Sequence, residues 1–418
     1  MTTTQSRHIT LDALRGFAVM GILWVNVVAF GLPEMAFASP AIGTVGSPSD
    51  IAAWAVSFIF FDGKMRAIFS LLFGASMMLI IERAEITGDR PALVHYARLF
   101  WLAIFGLLHF YLLWWGDILF LYAVSGAVIY LFRGWSGEAL VKAGVIAYLS
   151  ASVLMIIGSA GMLSLQNAAA QPGAAPDIVA RYTMMIRDLG ISPQSLAEET
   201  ATYRGSFIEI LTDKLTNQLS LPFRGLWLAP YETIPLMMLG MGLYKSGFLT
   251  GHADRQIYVQ IGIWGTLIGA LCFAAMTWLA VDQGFEIVLM MNITQGWSTL
   301  PRLVMTMGYV ALLILLIQRF RTHPLIQRVA AAGRAAFSNY LGSTIFMTFI
   351  FYGWGLGLFG TIGRAGMILL VLVSWAIMLF WSKPWLIRFR YGPLEWLWRS
   401  LARGKWQAML VDKKSQSL

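Results

Sequence analysis

An all-α protein lying mostly within a membrane is the fold class that three observations predict. Of the 418 residues, 58% are hydrophobic and only 12% are charged. Mean hydropathy is +0.68, whereas soluble domains carry about 25% charged residues. Apolar runs of about 20 residues, the length a helix needs to cross the hydrocarbon layer, recur along the whole chain.

Ten spans are predicted, at 10–30, 64–83, 93–115, 117–133, 139–165, 225–245, 256–281, 302–320, 335–353 and 362–382. Residues 51–62 predict a shorter interfacial helix leading into the second span. The loops 31–50, 115–117, 282–300 and 353–361 contain no Lys or Arg. Arg83, Arg90, Arg133, Lys142, Lys245, Arg255, Arg319, Arg321 and Arg328 all fall in the opposite set. The positive-inside rule then puts both termini in the cytoplasm. Ala36-Phe37-Ala38 resembles a signal-peptide cleavage site, but the apolar stretch from Gly16 to Leu32 exceeds a usual signal core, so an uncleaved first span is expected.

Composition excludes several function classes. Cys272 is the only cysteine, which rules out an internal disulfide framework and a thiolate metal site. The net charge of +9 accords with cytoplasmic loops, and no nucleic-acid-binding motif accompanies it. Gly355, Gly357 and Gly360 fit G-x-G-x-x-G, yet no strand precedes them, so they carry no dinucleotide expectation.

The chain divides at residues 167–224, a polar insertion on the outer side, with five spans before it (1–166) and five after it (225–403). A basic tail, 404–418, closes it. Within the insertion, Val179, Tyr182, Ile186 and Leu189 form one apolar stripe. Leu196, Tyr203, Phe207, Ile210 and Leu215 form another. Helices lying on lipid and a lid over a cavity fit this pattern equally.

Polar side chains inside apolar spans carry the functional expectations, because lipid tolerates them only when paired, hydrated or reactive. In the first span Asp12, Arg15, Val19, Ile22 and Asn26 share one helix face that starts at the cytoplasmic mouth. An Asp12–Arg15 salt bridge near the headgroups is the simpler reading of that face. In the third span Arg98, Leu102, Phe105 and His109 do the same. Asp117 follows across the Gly116 break, placed to cap the next helix or to hold His109 in one tautomer. Asp62, Lys64 and Arg66 open the second span on the outer side, as lipid-phosphate anchors or as walls of an anion site.

In GRAAFSNYLGS, Ser338 and Gly342 suggest close helix packing, and Asn339 a bond across helices. In RFRYGPLEWLWR, Gly392 and Pro393 mark a helix start with Glu395 in its first turn. Trp396 and Trp398 suit the headgroup layer, and Arg388 and Arg390 suit a phosphorylated ligand or anionic lipid.

FRYGPLEWLWR, GRAAFSNYLGS, SKPWL, LLHFYLLWWGDIL and ITLDALRGFAVMGILWVN together resemble the YeiB family of bacterial inner-membrane proteins (domain of unknown function 418). That resemblance implies a multi-pass protein of the bacterial inner membrane. Leu11, Asp12, Arg15, Gly16 and Asn26 also resemble the opening of the heparan-α-glucosaminide N-acetyltransferases and related transmembrane acyltransferases. This second resemblance implies an acyltransferase-like bundle that takes an acyl group from cytosolic acyl-CoA to an acceptor on the other side, with an embedded histidine at its centre. No histidine follows the first span here, so the role falls to His109, with Asp117 orienting it.

On the acyltransferase reading, Asp12, Arg15, Arg98, Arg388 and Arg390 hold the acyl donor, while Asn26, Lys64 and Arg66 serve the oxyanion. Acyl-CoA is a co-substrate, and no resident cofactor or metal is expected. Expected partners are membrane lipids and a small-molecule, lipid or glycan acceptor, with homo-oligomer formation left open. The second reading is a transporter or flippase for a small anion or lipid, using the same polar faces as its path.

Overall fold

The computed structural model describes residues 3–43 and 47–411; the last part of the basic tail, 412–418, lies outside them. Lipid cannot hydrate backbone amides, so apolar runs of this length satisfy them internally as helices. α1 (Thr3–Gly31) is followed by α2 (Pro48–Phe60), which turns at Gly63 into α3 (Lys64–Ile86). α4 (Pro91–Leu112), α5 (Leu119–Ile129) and α6 (Gly137–Ala169) complete the first half. The insertion folds as α7 (Pro176–Asp188), α8 (Pro193–Arg204), α9 (Phe207–Thr216) and α10 (Leu221–Arg224).

A π-helical turn, Ala229–Thr233, then leads into α11 (Ile234–Lys245). α12 (Arg255–Asp282) and α13 (Ile287–Met291) precede a second π-helical turn, Asn292–Trp297. α14 (Thr299–Arg319), α15 (Pro324–Arg334), α16 (Ala336–Phe351), α17 (Arg364–Arg388) and α18 (Pro393–Arg403) finish the chain.

Among the described residues, seven helical stretches are long and apolar enough to cross a membrane. Three predicted spans are represented by shorter helices. Residues 117–133 give Leu119–Phe132, and 335–353 give Ala336–Phe351. Residues 225–245 give α11 and its π-helical entry, where Pro230 and Pro235 lack the N–H groups that a continuous ladder needs. The predicted interfacial helix before α3 is α2, capped by the Ser47 hydroxyl on the Asp50 N–H at 3.2 Å.

α1 is the hub, packing on α3, α14, α15, α16 and α17. Its contact with α15 is backbone on backbone. A Cβ on Gly333 would fall 1.8 Å from the Asp12 carbonyl oxygen, and one on Gly16 2.1 Å from that of Val329. Small residues permit this approach, which lipid alone would not drive. Ser338 and Gly342 are not such a contact, which corrects the sequence expectation: Gly342 faces open space and Ser338 is engaged with Glu395. Asn339 does bond across helices, donating to Ala332 O (2.9 Å) and accepting from Trp381 Nε1 (2.8 Å).

Candidate active site

α4 runs out at Leu112, and the next backbone amides fold back on its last carbonyls: Leu113 and Trp114 N–H both donate to His109 O. The chain then reverses and α5 begins. Asp117 Oδ2 accepts the Phe120 N–H at 2.9 Å, so it caps α5 as the spacing predicts. Its other oxygen lies 2.8 Å from His109 Nδ1. Both readings of Asp117 therefore hold at once. Gly106 allows the approach, since a Cβ there would lie 2.4 Å from the Phe120 nitrogen.

The far nitrogen of His109, Nε2, is 3.0 Å from the Thr344 hydroxyl on α16. The side chains of His109 and Asp117 are 0% and 4% exposed. As a carboxylate Asp117 only accepts, so Nδ1 carries a hydrogen and Nε2 of the neutral ring accepts from Thr344. Thr344 is also 3.2 Å from the Tyr340 carbonyl, a second acceptor for the same hydrogen. The Tyr340 ring packs against His109 with centroids 5.2 Å apart, and its hydroxyl is buried beside the Ile118 backbone.

On the other side of Tyr340 opens a cavity of about 870 Å³. Its mouth carries Arg15, Arg83, Arg98, Arg334, Arg390 and Arg399. Its inner walls are apolar, with Val19, Ile22, Leu72, Phe73, Met77 and Leu102, and it ends at Ile118, Leu119, Tyr122 and Tyr340. α1 and α3 run antiparallel along it, with Gly21 against Met65 and Arg15 donating to Ser76 Oγ at 2.8 Å. Both helices thus place charge at the same end.

Asp12 pairs with Arg15 at 3.0 Å, the simple salt bridge the sequence allows, and both line this mouth. Arg98 lies over the Trp398 ring at 4.2 Å, and Trp398 Nε1 donates back to Arg98 O at 2.8 Å. Arg390 lines the mouth; Arg388 is exposed and does not. Trp398 also lines the cavity. Trp396 donates to Gln407 O and stacks on Trp406 at 5.1 Å.

Glu395 joins the two distant motifs. Its Oε1 accepts the N–H groups of Phe337 (2.7 Å) and Ser338 (3.0 Å), and Oε2 accepts the Ser338 hydroxyl at 2.5 Å. These are the free amides at the start of α16, so a carboxylate 57 residues away caps the helix that carries Tyr340 and Thr344. Burial pushes the Glu395 carboxyl up, against the hydrogen bonds that favour its charge. Gly392 makes room, since a Cβ there would meet Glu395 Oε2 at 2.1 Å.

The insertion covers the His109 end. Tyr203 and Ile210 are buried, and Lys214 Nζ donates to Phe110 O at 3.1 Å, beside the end of α4. Burial lowers Lys214 to about 7, opposed by Asp213. Glu199 Oε1 accepts the Glu34 N–H at 2.8 Å, and burial pushes its carboxyl up to about 7. α7 buries none of its side chains, with Val179 and Met184 exposed. One insertion thus contains both a docked cover and an amphipathic helix that rests on α6 with its stripe only half-buried.

Asn26, Lys64 and Arg66 do not join His109. Asn26 is half-buried and absent from the cavity lining. Lys64 Nζ donates to Phe58 O at 2.6 Å and lies 3.1 Å from the centre of the Phe273 ring. Arg66 donates to Glu232 Oε2 at 2.8 Å, and Arg302 approaches the same oxygen at 3.6 Å. Sequence reasoning left out Thr344, Tyr340, Glu232 and Arg302. A threonine in an apolar helix gives no signal by itself; its partner is 235 residues away.

Three comparisons bear on this arrangement. The family model described as "Protein of unknown function (DUF418)" matches residues 243–405, which include the Glu395 box and α16. The "Uncharacterized protein YxaH" of Bacillus subtilis (strain 168) is 32% identical over 99% of this chain and 98% of its own. The "Uncharacterized protein YeiB" of Escherichia coli (strain K12) is 30% identical over 94% of this chain and 96% of its own. The "Uncharacterized 39.9 kDa protein in amylase 3'region" of Bacillus acidopullulyticus is 25% identical, covering 97% and 96% respectively. No solved structure matches the chain. With likeness that runs nearly end to end and a family model over the C-terminal part, the chain belongs to the DUF418 family of membrane proteins that includes YeiB.

Proposed function

We propose that this chain is a membrane-embedded acyltransferase of the bacterial inner membrane. On this reading it crosses ten times, with both termini in the cytoplasm, the three short helices completing the count. It takes an acyl group from cytosolic acyl-CoA and delivers it to a hydroxyl or amine at the outer face. The single observation that carries the reading is the juxtaposition across Tyr340. A cavity with an arginine mouth and apolar walls ends at a tyrosine that packs on a histidine held by an aspartate.

The arginine mouth suits the phosphates of the donor, and the apolar walls suit an acyl chain. Asp117 fixes Nδ1–H, leaving the Nε2 lone pair as general base. The Tyr340 hydroxyl, on the residue that closes the end of the cavity, donates to the oxyanion. This replaces Asn26, Lys64 and Arg66 in that role. His109 does not line the cavity, so the Tyr340 ring swings aside when the donor arrives.

His109→Ala is expected to abolish acyl-CoA consumption while thermal unfolding stays near that of the parent protein. Asp117→Asn is expected to lower it by about 10³–10⁴-fold, through the wrong tautomer. Full thioester consumption by His109→Ala would dispose of the reading.

One observation favours transport instead. Glu232 lies in one π-helical turn, and Arg302, which approaches it, bonds Thr294 O in the other. Interrupted helices of this kind often bear functional sites and mark transporter ligand sites. Proteoliposome uptake of a labelled anion without acyl-CoA would select that reading.

A further inference from the structure

We propose that Thr344 is the nucleophile of a two-step transfer, carrying the acyl group as an ester between donor and acceptor. The inference rests on the acyl-transfer reading and deepens it. Three buried groups stand in line: Asp117 Oδ1 to His109 Nδ1 at 2.8 Å, and His109 Nε2 to Thr344 Oγ1 at 3.0 Å. A hydroxyl, a base within hydrogen-bond reach and a third group orienting that base are the parts of an activated nucleophile. Thr344 does not meet His109 by an accident of neighbouring sequence, because it comes from another helix, clamped at its start by Glu395.

The occupancy of Nε2 is the deciding point. A base first deprotonates the hydroxyl to which it is already bonded, and that hydroxyl belongs to the protein. An acceptor attacking directly would have to displace Thr344 from Nε2 while the donor is also present. The donor side ends at Tyr340, and the opposite side lies under Lys214 and α9. Two substrates arriving from opposite ends are served more simply in turn.

In the first step Nε2 takes the Thr344 proton, Oγ1 bonds to the thioester carbonyl carbon, and the C–S bond breaks. The departing thiolate takes the proton from Nε2 and leaves as free CoA. In the second step Nε2 takes the proton of the acceptor hydroxyl or amine, whose oxygen or nitrogen bonds to the same carbonyl carbon. The C–Oγ1 bond breaks, and Oγ1 regains the proton. Thr344 sits one helical turn beyond Tyr340, so the movement that uncovers one uncovers the other.

The test uses the full-length protein in lipid nanodiscs, with acetyl-CoA and palmitoyl-CoA offered in turn and no acceptor added. The expected result is one acyl group per chain, mapped by mass spectrometry to Thr344 and released by hydroxylamine. Thr344→Ser should keep the label. Thr344→Val, of similar volume, should lose it and slow the single round of thioester consumption by about a thousandfold at an unchanged melting temperature. An acyl group on His109 overturns the proposal by making the imidazole the nucleophile, and parental thioester consumption by Thr344→Val overturns it while leaving His109 as the base. No thioester consumed by the parent protein would sink the acyl-transfer reading, and this inference with it.

Discussion

Glu395 shows what a single residue does when it serves an element far from its own. Read along the chain, it is an acidic residue in the first turn of α18, favourable there and unremarked. In the fold its oxygens collect two amides and a hydroxyl at the start of α16. Glu395→Gln replaces one accepting oxygen by a donor that faces the same donors. Losing charge-assisted bonds in a buried place costs about 2 kcal/mol, so thermal unfolding in detergent should shift clearly downward. Unchanged unfolding would mean that α16 caps itself. His109 and Asp117 were legible because eight residues and a glycine break separate them. Glu395 and Ser338 were not, because sequence spacing says nothing about partners on distant helices.

At the scale of elements, the insertion divides into a part buried against the bundle and a helix, α7, that rests on α6 with no side chain fully buried. Periodicity predicted both amphipathic stripes, but it could not tell which would find a partner. Tyr203 found one in Tyr352 and Phe359, with ring centroids at 4.9 and 5.0 Å. Docking should depend on pH in two limbs. Glu199 is raised from 4.5 to about 7, so its contribution is full below pH 4.5 and lost as pH rises through about 7. Lys214 is lowered from 10.5 to about 7, so its contribution is full above pH 10.5 and lost as pH falls through about 7. The cover is therefore expected to be loosest near pH 7 and tighter on either side. Spin labels at the exposed Thr212 and Leu112, in a Cys272→Ser background, would report the docked distance. Lys214→Met should flatten the alkaline limb and Glu199→Gln the acid one; limbs unmoved by these changes would refute the assignment.

Across the whole molecule, hydropathy was the legible part: composition predicted a helical membrane protein, and seven helices have the length to cross. The three short helices were not legible as short, since an apolar run does not reveal where tertiary packing will end it. The cavity was half legible. The faces Asp12–Arg15–Val19–Ile22 and Arg98–Leu102 do line it, whereas Asn26 falls outside it. Sidedness is open to direct measurement. In the same cysteine-free background, Arg181→Cys should react with an impermeant maleimide on intact spheroplasts, and Glu138→Cys only after lysis. Both positions are exposed, at 74% and 77% of the side chain. Reaction of both from one side would overturn the orientation.

The Thr344 hydroxyl owns one hydrogen and stands between two claimants. A neutral imidazole draws that hydrogen to its ring nitrogen; a cationic one returns it to the carbonyl one turn back along the helix. Each charging of a ring sealed from water is thus transcribed into the backbone of α16, whose opposite end faces the arginines.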